Sequence, residues 1–491
     1  MPTTDSASDR GAVAGSASGP AAASLDHGVR VGLVVAVVLV LLTMSVPEIF
    51  GWLVHPFGGP NGVEPLHSRW SPHLGPGTVP AVVLAVLGVL HGPRLAAELG
   101  WRRLLLAVFG LGWLWIVSLA LVDGVSGLGS VLGEPFEYFR EARRTEDVGL
   151  LLEQWVDRIP FAHPDTLAAN VAGHPPFLFL LFVAMERLGF DPAPFSGLIV
   201  VTVSATAPVA VLVAARRLAG EAYARRAAPF LVLAPMAVFI GVSADSMVTA
   251  VGAWGIALLA YAATSRGLRA VAWSLAAGLV LGSAVMMSYG AVLLGLVALA
   301  VLLAVRSWWP LPLAALAACV PTLLVLAPFG WHFFPAYFAL EDRYWNGIAG
   351  MRPPAYWVWG NGGALLLSAG PALAAALAVL VVVLRSRRRS RGRWADLLDD
   401  GSDLAVVVGG PLADAQVRTR AAVLLPLGGL ACVLVADLSL MSLSEVERIW
   451  LPFMPWMLLA AAHVPRWWWT RLLGLQVTVA LLLNHLLDTH W

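Results

Sequence analysis

The chain has 491 residues, 59% of them hydrophobic and 12% charged, with a formal net charge of +1. Its mean hydropathy of +0.79 excludes an ordinary soluble domain and places it among polytopic membrane proteins. Every cationic side chain other than histidine is arginine, and acids nearly balance them, so the charge gives no footing for a nucleic-acid partner.

Residues 1–28 are rich in Ser, Ala, Gly and Asp without periodicity and are expected to form a disordered tail ahead of a transmembrane domain over 29–491. The first apolar run, 31–54, is long enough to cross a bilayer. Further runs predict spans near 78–92, 104–122, 196–215, 227–243, 246–264, 270–287, 289–305, 311–328, 361–384, 421–441, 449–464 and 471–487. Each should be helical, because backbone groups in lipid must bond internally. The run 175–189 opens on Pro175 and Pro176 and is read as a short helix that does not fully cross. The fold expected is therefore an all-α transmembrane bundle of about thirteen spans. Cys319 and Cys432 both fall in apolar runs, where a thiol is a small core hydrophobe and no disulfide is expected.

Orientation follows from arginine. The cluster from Arg385 to Arg393 reads as a topology anchor that keeps the loop 385–420 cytoplasmic. Alternation of spans then puts a large loop after the third span, 124–172, on the opposite face. Asp245, the aromatic loop 330–360 and the segment 445–448 join it there. Polar loops converging on one extracytoplasmic rim define where chemistry should be sought.

Several side chains on that rim are candidates. Asp123 closes the third span and Glu137 follows within Glu134-Pro135-Phe136-Glu137; a carboxylate at such a rim can serve as general base on a hydroxyl, or can simply mark the water boundary. The acids and arginines from Glu141 to Arg158 have the spacing of a solvated interfacial helix. His174 stands before two prolines and either binds a phosphate or sits at a helix entrance. Asp245 is an N-cap or a functional acid. Glu341, Asp342 and Arg343 lie among tryptophans and tyrosines, a mixture that suits a phosphorylated sugar as well as an interfacial aromatic belt. Glu445, Glu447 and Arg448 precede Ile449-Trp450-Leu451-Pro452; the fork of Arg448 fits a lipid-linked phosphate, or pairs with its neighbouring acids.

Three local patterns, Gly173-His174-Pro175-Pro176, Ser243-Ala244-Asp245 and the run from Glu447 to Pro455, together resemble the GT-C superfamily of polytopic membrane glycosyltransferases. The likeness is to its actinobacterial integral membrane members and, more distantly, to protein mannosyltransferases. The resemblance implies transfer of a sugar, mannose among the candidates, from a polyprenyl-phosphate donor to a lipid, glycan or protein acceptor outside the cytoplasm, with inversion at the anomeric carbon. It implies a multi-pass protein of the cell membrane, with Asp123 and Glu137 as the catalytic acids. His174, Asp245, Glu341, Asp342, Arg343, Glu447 and Arg448 would bind substrate. No cofactor is required and no metal ligands are assigned, although a divalent cation is compatible. The chain departs from the family in lacking an acidic pair at the end of its first helix: two more spans come first, and Asp123 and Glu137 stand fourteen positions apart. A secondary transporter and a non-enzymatic membrane assembly protein are the rival readings.

Overall fold

The computed structural model describes residues 20–56, 62–190, 194–389 and 415–489. Most of the described residues are helical, as apolar spans whose backbone must bond internally require. The one sheet among the described residues pairs the two-residue strands Arg69–Trp70 and Leu487–Asp488 antiparallel.

Among the described residues, eight helices are long and apolar enough to cross a membrane: Ala22–Phe50, Thr78–Glu98, Trp101–Asp123, Pro194–Ala219, Ala244–Thr264, Gly267–Met287, Pro310–Phe329 and Ala415–Leu438. A ninth crossing is available if Pro354–Ser368 and Pro371–Ser386, bent by 106° against each other, act as one broken span. The bend has a local cause. Gly370 takes φ +88° and Pro371 has no N–H to continue the ladder. The Gln476 amide repairs the break, donating to the Ala369 carbonyl at 3.0 Å and accepting from the Ala372 N–H at 3.2 Å.

The set of membrane-length helices is smaller than the thirteen spans expected, because several apolar runs fold as shorter pieces. The run 227–243 is divided between Glu221–Val232 and Met236–Ile240. The run 289–305 opens with a tight turn, Tyr289–Leu293, before Leu294–Val305. Pro452 and Pro455 break 449–464 into Val446–Ile449, Met454–Leu458 and Leu459–His463. Every residue from 450 to 465 is buried, and irregular backbone at membrane depth is tolerated where protein surrounds it. The run 471–487 lies in Arg466–Leu486, which is 21 residues long but too polar to count among the eight. Pro176–Arg187, with 12 residues, rises about 18 Å and falls short of a hydrocarbon core of about 30 Å, as its proline start suggested.

Loop boundaries also shift. The first helix begins at Pro20, so residues 20–28 of the expected tail are helical, with Asp26 bonded to Arg30 at 2.7 Å and to the Trp468 indole at 2.5 Å; the remainder of that tail lies outside the described residues. The segment 330–360 is mostly helical, in Phe333–Trp345 and the start of Pro354–Ser368. Of the loop 385–420, residues 390–414 lie outside the described residues, and Pro371–Arg389 and Ala415–Leu438 flank them. The segment 124–172 is built of short helices, Tyr138–Arg144, Val148–Glu153 and Ala169–Ala172.

Small residues set the closest helix seams. A Cβ on Gly278 would lie 2.0 Å from the Ala314 carbonyl oxygen, and one on Gly282 2.2 Å from that of Ala318. Two small-xxx-small faces therefore meet backbone to backbone, the packing that van der Waals attraction favours where lipid offers no hydrophobic drive.

Candidate functional site

Arg448 lies in the buried turn Val446–Ile449. The chain enters that turn through Ser444 at φ 71° and Glu445 at φ 62°, two successive residues in the left-handed region that side chains disfavour. The conformation is held from outside: the Ser444 N–H donates to the Asn361 side-chain oxygen at 3.2 Å, and the Ser444 hydroxyl donates to the Pro56 carbonyl at 3.3 Å.

The Arg448 guanidinium faces three carboxylates. Its Nε is 3.2 Å from Asp245 Oδ2, one terminal nitrogen is 3.4 Å from Glu445 Oε2, and the other is 3.9 Å from Glu137 Oε1. Asp245 is carried in the first turn of Ala244–Thr264, and Glu137 sits at the start of Tyr138–Arg144. His174 bridges these elements. Its Nδ1 lies 2.7 Å from the Asn170 carbonyl and its Nε2 3.0 Å from Asp245 Oδ1. A carbonyl can only accept, so this geometry suits an Nδ1 that donates to Asn170.

Glu137 is 4% exposed and accepts from the Asn170 amide at 2.5 Å. Burial, reinforced by the Asp245 charge and opposed by Arg448, pushes its carboxyl from an ordinary 4.5 up to about 7. Its Oε2 is buried with no hydrogen-bond partner among the described residues, as are the Tyr138 and Ser243 hydroxyls beside it in sequence or next to Asp245. The Tyr138 ring stacks on Phe182 at 4.9 Å and stands 6.0 Å from His174.

A second tier holds the turn. Arg352 donates to the carbonyls of His55, Leu443 and Pro56 at 3.0, 2.7 and 3.3 Å, and reaches Glu445 Oε1 at 3.1 Å. His67 lies 3.6 Å from the same oxygen. Burial alone would raise Glu445, but His67, Arg352 and Arg448 overcome it and hold the carboxyl at about 2. Glu447 points the other way and accepts the His67 N–H at 2.6 Å. Burial lifts its carboxyl to about 7 against that bond.

Of the residues singled out in the sequence, Glu137, His174, Asp245, Glu445 and Arg448 therefore come together, with Glu447 reached through the His67 N–H. Asp123, Glu341, Asp342 and Arg343 do not join this network among the described residues. Asp123 pairs with His73 at 2.9 Å, its side chain 56% exposed. Arg343 is buried against the loop 155–167, bonded to the carbonyls of Ile159 and Leu167 and to the Thr166 hydroxyl at 2.7 Å, with Phe161 beneath the guanidinium. Glu341 is half-buried and Asp342 exposed. Sequence reasoning missed His67, Asn170, Tyr138 and Arg352 as network members. The one signal for His67 was the polar, proline-rich segment after the first span.

No group of three or more His, Cys, Asp or Glu among the described residues is placed to hold a metal ion. The site offers instead buried cations, a carboxylate poised near neutrality and a histidine–aspartate pair. These are the parts of acid–base chemistry beside an anion.

No family model matches the chain, and no curated protein does. Among solved structures the chain is similar to the apo-state crystal structure of ArnT from Cupriavidus metallidurans, at 17% identity and a TM-score of 0.32, over 72% of this chain and 78% of that one. A likeness at that level carries no weight for fold, site or substrate.

Proposed function

We propose that the chain is a membrane glycosyltransferase that moves a sugar from a polyprenyl-phosphate donor to an acceptor hydroxyl outside the cytoplasm, the reading that its three sequence patterns imply. The observation that supports it is the buried Arg448, with Asp245, Glu445 and Glu137 within 3.9 Å. A guanidinium wrapped by carboxylates can exchange one of them for a donor phosphate without being newly desolvated. Glu137, held near neutrality, takes the acceptor proton as the acceptor oxygen bonds to the anomeric carbon. The bond from that carbon to the phosphate oxygen breaks, and the polyprenyl phosphate leaves with the electron pair towards Arg448 and Arg352. The His174–Asp245 pair orients Arg448. Glu137 is assigned as base in preference to Asp123, which is exposed and bonded to His73.

Proteoliposomes of the purified chain, given a labelled polyprenyl-phosphate sugar and in parallel labelled free solutes, test this reading. Transfer is expected, with Glu137→Gln lowering kcat by 10²-fold or more and Asp123→Asn leaving it within a few-fold. Saturable solute uptake with no transfer would replace the enzyme with a transporter.

A further inference from the structure

A groove of ≈ 340 Å³ lies far along the chain from Arg448, between the helices Thr78–Glu98 and Trp101–Asp123 and floored by Pro229 and Leu233 of a third segment. Its walls run from Leu84 to Ala96 on one helix and from Leu104 to Trp115 on the other. The first wall covers about 18 Å at 1.5 Å per residue, close to the depth of one leaflet of a hydrocarbon core about 30 Å thick.

The groove has a polar end. Arg103 stands one helical turn from Ala107 and two from Leu111, on the same face as both groove-lining residues. Arg102 and Arg103 are exposed, and no ion pair holds either among the described residues. The neighbouring charges are already engaged. Arg94 bonds Glu98 at 2.9 Å, Arg216 bonds Glu221 at 2.8 Å, and Arg225 ties Glu221 to the carbonyls of Ala96 and Leu99 at 2.7 and 2.8 Å. Arginine is thus in excess over carboxylate at the end of the hairpin.

We infer that this groove binds one anionic glycerophospholipid, with an acyl chain lying between the two helices and the phosphate against Arg102 and Arg103. An apolar channel one leaflet deep that ends in unengaged cations complements that molecule at both ends. A second protein would meet no such division of apolar depth and surface charge.

The full chain in mild detergent, titrated with phosphatidylglycerol or phosphatidylcholine and followed by native mass spectrometry, tests the site. One phosphatidylglycerol is expected to bind ahead of phosphatidylcholine, with a preference that shrinks as salt rises. The double variant Arg102→Gln with Arg103→Gln, at two exposed positions, should lose roughly 30-fold of that preference. Gly92→Phe should remove the bound lipid whatever its headgroup, since a Cβ there meets only Pro229 at 3.6 Å and the ring would fill the groove. If Gly92→Phe does not fold, Ala107→Phe serves the same purpose. Equal binding of the two lipids, a preference that survives the arginine changes, or lipid retained in a folded groove-filling variant each overturns the inference.

Discussion

Removing the Arg448 guanidinium tests the centre of the site most directly. In Arg448→Met the side-chain length is nearly kept, but the 3.2 Å contact with Asp245 and the 3.4 Å contact with Glu445 are lost. Glu445 keeps Arg352 at 3.1 Å and Asp245 keeps His174 at 3.0 Å, so neither acid is left bare. Breaking a buried pair by deleting one partner costs about 3–5 kcal/mol, and the remaining partners place this variant at the lower end, about 3 kcal/mol. Reversible unfolding in mixed micelles measures it. A second measurement separates charge from packing: adding Asp245→Asn to Arg448→Met should cost less than the two single losses added, because the carboxylate left under-compensated is then neutral. A loss below about 1 kcal/mol, or strict additivity in the cycle, would show that the guanidinium is not what holds these carboxylates in place.

Stability should also depend on pH in a stated direction. Glu137 and Glu447 hold a proton up to about 7 in the folded chain, whereas the unfolded chain releases it near 4.5, so stability falls as pH rises between those values. Each contributes a decline of about 3 kcal/mol, and Glu137→Gln should remove its share of the slope. Glu445, held at about 2, acts oppositely: the stability it supplies is complete above about 4.5 and is lost as pH falls towards 2. Arg343→Met should destabilise by about 3 kcal/mol, since Ile159, Thr166 and Leu167 lose a charged donor, while the KM for donor in the folded fraction stays unchanged; a raised KM with unchanged stability would return Arg343 to the substrate. Gly278→Val must push against the Ala314 carbonyl, 2.0 Å from the new Cβ, and should cost about 2 kcal/mol or more. Gly295→Ala, which meets nothing within 4 Å, should be neutral or mildly stabilising by thermal denaturation.

What the sequence made legible of the site was the grouping of its polar segments. Arginine bias and alternation of the expected spans grouped Glu137, Asp245 and Arg448 on one rim, and the structure sets the first two within 3.9 Å of the third. Which rim acids meet was not legible, because it depends on how irregular segments pack and not on periodicity. Asp123 and Glu137 share a loop, yet Gly124 at φ 77° and the tight turns after it carry the chain away, leaving Asp123 with His73. Arg343 has the composition of a ligand-binding residue and the geometry of a clamp. Arg352, only nine positions on, is the one that reaches the network. Hydropathy overcounted the long helices for a related reason. A run such as 449–464 is apolar because protein surrounds it, and a window cannot separate that burial from burial in lipid.

The pairing of Arg69–Trp70 with Leu487–Asp488 ties the first wall of this site to the far end of the chain. Arg69 and its partner Asp488 are 419 positions apart, and Ser71 and His73 extend the same zipper onto the carbonyls of Leu486 and His485. The segment that delivers His67 to Glu447 and Glu445 therefore waits, during synthesis, for helices that leave the ribosome long after it. A chain stalled before Arg466–Leu486 is inserted would hold most of its helices in the bilayer while this wall of the pocket stayed unlatched. The wall that carries His67 is complete only once the last helix of the described chain has been made.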